Sequence, residues 1–243
     1  PPRWPIQPHL TAAPELWRDV GRGGIVLPLW ELGGNPYNVQ ANRLETLNGP
    51  VWSGGALSFD GSDDYIDVGN LDGWIGQVTQ NISITLVFST TRTTGQWVFG
   101  VRDSSGSNRF DLRLNKDSTD SSQTGGLFCD WKDISFDKKF QFGINYNLGF
   151  TDGKRHTLVI QASPFNNTAR IFFDGVEQTV SITNTNTDFS NGWSTFNKNL
   201  FIGGFNNGGS PLSPFKGEIE FLRIVSGTLD TNSDPFAMLR PGP

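Results

Sequence analysis

The run HTLVIQASPFNNTARIFFDGV, from His156 to Val176, decides the architecture of this chain. His156, Leu158, Ile160 and Ala162 alternate with Thr157, Val159 and Gln161. That is the two-residue period of a strand with one face toward a core. Ala169, Ile171 and Phe173 repeat the period and run into Asp174-Gly175. Asp-Gly suits a two-residue hairpin turn, because both central positions need positive φ. The spacing predicts a returning strand with Val176, Val180 and Ile182 on one face.

The same alternation extends in both directions. Ile82, Ile84, Leu86 and Phe88 face one way, and Ser83, Thr85 and Val87 the other. Phe110, Leu112 and Leu114 alternate with Arg109, Asp111, Arg113 and Asn115. Further on, Phe215, Gly217, Ile219 and Phe221 alternate with Lys216, Glu218 and Glu220. There the apolar phase slips to Leu222 and Ile224, which predicts a bulge. Turn-forming clusters separate the runs at 103–108, 184–191 and 206–210. About twelve half-polar strands with almost no helix predict an all-β fold of two antiparallel sheets packed face to face.

Composition narrows the class. The chain has 243 residues, with 19 Lys+Arg against 24 Asp+Glu, a net charge of −5. Aromatics at 12% exclude a disordered chain. The 29 Gly and 14 Pro exclude a coiled coil or helix bundle. No glycine fingerprint of a dinucleotide or P-loop enzyme occurs. One Cys excludes a disulfide framework and a Cys-rich zinc site, and Cys129 reads as a small buried apolar residue. The net charge and the lack of a basic run argue against nucleic acid as a partner. No apolar run approaches the ~20 residues of a membrane span.

The ends read differently from the middle. Pro1, Pro2, Pro5, Pro8 and Pro14 make residues 1–24 an extended Pro-rich arm, with a short helix expected over Thr11 to Val20. Trp4, Ile6, Leu10 and Trp17 cannot form a core of their own, so the arm lies across its own sandwich or docks on a neighbour. Asp234 as N-cap and Pro235 at the first helical position predict a short helix within the tail, 231–243. The sandwich then occupies 25–230.

The run Gly54-Gly55-Ala56-Leu57-Ser58-Phe59-Asp60-Gly61-Ser62-Asp63-Asp64-Tyr65 resembles the laminin G-like, concanavalin A-like lectin/glucanase superfamily. Later pieces are similar in order: Ile82 to Thr90, Lys154 to Val159 (with Arg155 where Trp is usual), Ile171 to Val176, Leu200 to Gly204, and Phe215 to Glu220. The resemblance implies a jelly-roll-like β-sandwich. The Pro-rich head, Leu27 to Glu31 and the Asp234 to Pro241 tail look like members encoded by tailed bacteriophages. With the lone thiol and no leader-like segment, this implies assembly in a host cytoplasm and residence on the virion surface.

Several residues are candidates for a site. Glycosidases of this fold resemble Glu-x-Asp-x-x-Glu, whose outer carboxylates lie near the ~5–5.5 Å of retaining hydrolysis. Here Glu218, Glu220 and Arg223 occupy that pattern, and Arg223 breaks it, so no catalytic residue is assigned. Asp60, Asp63, Asp64 and Asp67 offer oxygen ligands for calcium on a tight loop, or else a solubilising turn. Trp131 and Trp193 have aromatic faces that suit sugar stacking, or else packing. The leading expectation is a non-enzymatic virion structural protein. It would decorate (cement) a tailed-phage capsid as a homo-oligomer, contacting the major capsid protein or other virion proteins through the arm (Trp4, Ile6, Leu10 and Trp17), the sandwich, or both. The alternative is a glycan-binding module of a tail fibre or cell-surface protein. A glycoside hydrolase is the third reading.

Overall fold

A computed structural model describes residues 24–28, 47–53, 56–70, 82–102, 108–133, 138–183, 198–207 and 209–226. The arm residues Trp4, Ile6, Leu10 and Trp17, the loop residue Trp193 and the tail helix expected near 234–240 lie outside them.

Eighteen strands, numbered in chain order, are described, and six of these have three residues or fewer. The first sheet runs β13 (Val176–Gln178), β12 (Thr168–Phe173), β11 (His156–Ser163), β6 (Ile82–Ser89), β18 (Lys216–Ser226), β4 (Ala56–Asp60) and β3 (Val51–Ser53). β1 (Gly24–Pro28) pairs with the second half of β18, beyond β4. The second sheet runs β14 (Ser181–Ile182), β10 (Lys138–Ile144), β9 (Ser122–Asp133), β8 (Arg109–Lys116), β7 (Gln96–Arg102), β15 (Asn199–Ile202), β5 (Tyr65–Asn70) and β2 (Leu47–Asn48). β16 (Phe205–Asn207) and β17 (Ser210–Leu212) form a separate hairpin. Every pairing is antiparallel, and the sandwich expected from the alternation is present.

The core lies between the inner faces. Ile82, Ile84, Leu86 and Phe88 of β6 meet Phe110, Leu112, Leu114, Leu127, Cys129, Phe140 and Phe142 from the other sheet in one buried cluster. The Asp174-Gly175 turn is a hairpin with φ of 45° and 85°, joining Phe173 to Val176. The bulge in β18 falls between Ile219 and Phe221, where the register against β6 shifts. The motif strand β4 meets the closing strand, with Leu57 opposite Ile219 and Asp60 opposite Lys216.

One expectation changes, and one strand is covered more fully than its pattern shows. The returning strand after the hairpin does not keep Val176, Val180 and Ile182 on one face. β13 ends at Gln178, and β14 crosses to pair with β10 in the other sheet. Val176 is 64% exposed, while Val180 packs against the core. The outward residues of β6 are also not solvent-facing: Ser83, Thr85 and Val87 are buried. A strand that is covered on both faces keeps its period in polarity but loses it in exposure.

Candidate functional site

The outer face of the second sheet carries three rows of residues, aligned by register across β7, β8, β9 and β10. The first is Arg102, Arg109, Lys132 and Lys139. The second is Gly100, Asp111, Asp130 and Gln141. The third is Trp97, Arg113, Phe128 and Gly143. A bulge in β7 between Trp97 and Phe99 lets Trp97 face out while Phe99 turns into the core.

Charge is concentrated in the middle of this face. Arg113 is buried and donates to both oxygens of Asp111, from Nε at 3.1 Å and Nη2 at 2.9 Å. Its Nη2 also reaches Asp130 Oδ2 at 3.3 Å, and its Nη1 pairs with Asp120. The guanidinium sits 4.9 Å from the Trp97 ring centre and 5.2 Å from that of Phe128. Two aromatic faces and three carboxylates therefore replace its water. Asp130 Oδ2 also takes Arg109 at 3.2 Å and Lys132 at 3.0 Å, while Oδ1 accepts from Gln141 Nε2 at 2.8 Å. Burial lifts the Asp111 carboxyl to about 6, against the pull of Arg113. Asp120 reaches Arg113 from the β8–β9 turn, where it adopts φ 66°. Asp117 Oδ1 holds that turn by accepting from the backbone N–H of Thr119 and Ser121 at 2.8 and 2.9 Å.

Gly100 in the middle row lets Phe205 lie on the sheet. A Cβ there would stand 2.5 Å from Phe205 Cδ2. Phe205 in turn lies 5.2 Å from Trp97 and under the Arg109 guanidinium at 5.8 Å.

The residues expected to act fall elsewhere. Trp131 does not offer a stacking face. Its side chain is fully buried on the inner face, with ring centres of Phe110, Phe140 and Phe142 within 5.3, 5.8 and 5.0 Å. The expectation of sugar contact at Trp131 is corrected: an indole enclosed by three phenyl rings has no surface left for a ligand. Its parity with Leu127 and Cys129 on β9 was the signal for this. Trp193 is outside the described residues.

Of the four acidic residues, Asp60, Asp63 and Asp64 bring carboxylate oxygens within 4.8 Å of one another. Asp67 does not join them; it binds Gly69 N–H at 2.9 Å and Asn199 Nδ2 at 3.0 Å. Asp64 is buried, and burial raises its carboxyl above the usual range. Its Oδ2 accepts from Asp60 N–H, and Asp60 Oδ1 from Ser62 N–H, each at 2.6 Å. Gly49, at φ 94°, makes room for Asp64, whose Oδ1 would lie 1.9 Å from a Cβ. One oxygen each of Asp60 and Asp64 is taken by the backbone, and three carboxylates alone supply fewer than the six to eight ligands calcium takes. An adjacent cleft of about 470 Å³ is lined by Asp60, Ser62, Thr91, Arg92, Thr94 and Lys216, so cations already face the acidic turn. Among the described residues, these backbone hydrogen bonds make the group a capped turn.

In β18, Glu218 is exposed, and Glu220 is held by Arg155 through both carboxylate oxygens. His156 fills a structural position, bridging Asp174 at 2.8 Å and Asp152 at 3.0 Å.

No family model and no curated protein matches the sequence. Solved structures do match the fold. The CBM40 module of the Ruminococcus gnavus IT-sialidase, bound to α2,3-sialyllactose, aligns with TM-score 0.57 at 16% identity, covering 77% of this chain and 98% of that one. The NanB sialidase from Streptococcus pneumoniae aligns with TM-score 0.54 at 16% identity, over 76% of this chain. A leech intramolecular trans-sialidase aligns with TM-score 0.52 at 17% identity, over 80% of it. The chain spans only 27% of either sialidase. None of these points to a tailed phage. What the chain shares with them is the fold, a lectin-like jelly roll of two antiparallel sheets.

Proposed function

We propose that this chain is a non-catalytic carbohydrate-binding module, with the outer face of the second sheet as its ligand face. The observation that carries this reading is the array around Arg113. Arg109, Lys132 and Gln141 are partly exposed donors that rest on a buried, fully partnered network. Sugar recognition needs a few convergent polar groups held in place before the ligand arrives. Donors anchored on a sheet lose little freedom on binding. The likeness to a sialidase CBM40 module solved with α2,3-sialyllactose bound supports the reading. So does the engagement of Glu220 by Arg155, which ties up one carboxylate of the position that hydrolases of this fold use.

A glycan array probed with the full chain tests it. Wild type is expected to bind at least one glycan class, and Arg109→Ala with Gln141→Ala to lose that signal while staying folded. A wild-type chain that binds no glycan sinks the proposal. The virion-decoration role draws no support from the structural likenesses, and its arm residues Trp4, Ile6, Leu10 and Trp17 lie outside the described residues. Its direct test is whether purified virions contain the chain in stoichiometric amounts.

A further inference from the structure

The first row of the outer face places four cations side by side on neighbouring strands: Arg102 opposite Arg109, Arg109 opposite Lys132, and Lys132 opposite Lys139. Residues directly opposite in antiparallel strands point to the same face. At the usual strand separation the row is about 14 Å long. Like charges in direct opposition disfavour the fold.

Relief is uneven along the row. The two inner members share one oxygen, Asp130 Oδ2, and Arg113 approaches that oxygen as well. Three cations therefore lean on a single carboxylate. The two outer members, Arg102 and Lys139, have no ion pair or hydrogen bond among the described residues. All four side chains are half-buried, as expected of long cationic side chains whose stems cover a sheet while their charged ends reach water. A ligand that brings its own anions relieves what the fold leaves uncompensated.

Building on the carbohydrate reading above, we propose that this row binds a linear acidic polysaccharide, carrying a carboxylate or sulfate on each sugar unit and lying across the strands. A single terminal anion meets only one or two of the four cations, whereas a repeating anion meets them all. Single-stranded nucleic acid fits less well, because it needs aromatic platforms for its bases. The aromatics beside this row are already used: Phe128 and Phe205 are buried, and Trp97 stacks against Arg113 and Phe205.

The test is calorimetric titration of the full chain with polygalacturonate, heparin, neutral dextran, sialyllactose and single-stranded DNA, each at low and high salt. An acidic polysaccharide is expected to bind, and more weakly as salt rises. The double variant Arg102→Gln/Lys139→Gln breaks no ion pair or side-chain hydrogen bond among the described residues, so its melting temperature should stay close to that of wild type. Its affinity for the polysaccharide should fall about tenfold, the loss of two solvent-facing ion pairs. The charge-preserving Arg102→Lys/Lys139→Arg should retain binding. Unchanged polysaccharide affinity in the Gln variant overturns the proposal, as does sialyllactose binding as tightly as the polymers, or DNA binding more tightly. Binding of dextran alone overturns the role of the row and leaves the carbohydrate-binding reading standing. Binding of no sugar at all overturns both.

Discussion

On the outer side of the first sheet, Ser83, Thr85 and Val87 of β6 and Val159 of β11 are neutral and buried. On the outer side of the second, Asp111, Arg113 and Asp130 are charged and just as buried. Both sheets fill their inner faces with the same kind of apolar residue, so the core does not distinguish them. The difference lies in what burial demands. A buried neutral polar side chain costs less to leave short of partners than a buried charge does. A buried charge needs a matched set of partners, and removing any of them strands the rest. The first face therefore tolerates substitution better than the buried trio Asp111, Arg113 and Asp130 does. A rigid charged network is also what holds exposed donors such as Arg109, Lys132 and Gln141 in fixed positions. This contrast is why we propose the second sheet as the ligand face.

Four substitutions or conditions probe this contrast. The largest effect is expected at Arg113. Arg113→Ala leaves Asp111 buried without its main partner, removes one of the three cations on Asp130, and should cost about 3–5 kcal/mol in urea unfolding. A loss below ~1 kcal/mol would mean that the network is not what stiffens the face. Trp131→Ala should cost a similar amount, about 3–5 kcal/mol, by opening a cavity in the core. The protein that remains folded should bind glycan as wild type does, whereas selective loss of binding would return Trp131 to the site.

On the first sheet, Thr85 Oγ1 is buried with no hydrogen-bond partner among the described residues. Thr85→Val should therefore be neutral or stabilise by about 1 kcal/mol. A clear destabilisation would show that the neutral face is as exacting as the charged one.

The smallest effect concerns His156. Burial pulls its imidazole down, but the hydrogen bonds to Asp174 and Asp152 outweigh burial, and the group titrates above its usual value of 6.5. The folded state thus holds the proton more tightly than the unfolded chain. This contribution is complete below pH 6.5 and disappears as pH rises through the folded value. The melting temperature should drop modestly across that window, and His156→Gln should flatten the drop. An unchanged pH profile in the variant would remove His156 from the account.

Much of the fold was legible because its causes are local. Ile82 to Phe88 announces a strand by its own period, and Asp174-Gly175 announces a hairpin by its own backbone preferences. The phase slip after Phe221 announces the bulge. The site was half legible. Arg109, Asp111 and Arg113 share one parity on β8, and Asp130 and Lys132 share one parity on β9, so each strand declares a charged face. The same parity on β9 places Trp131 with Leu127 and Cys129, a stronger sign than its polar flanks. The fate of the stretch after Gln178 was not legible, because crossing from one sheet to the other depends on which distant strand offers an open edge.

The sequence by itself determined the strand class, the two-faced pattern, the hairpin and the absence of any apolar run long enough for a helical membrane span. Each of these follows from neighbours a few residues apart. The tertiary structure alone decided that Arg102, Arg109, Lys132 and Lys139 stand in one row. It alone decided that one carboxylate serves three cations, and that β6 is covered on both faces. These depend on register between strands far apart in the chain. A shift of one residue in register would move every side chain of a strand to the other face.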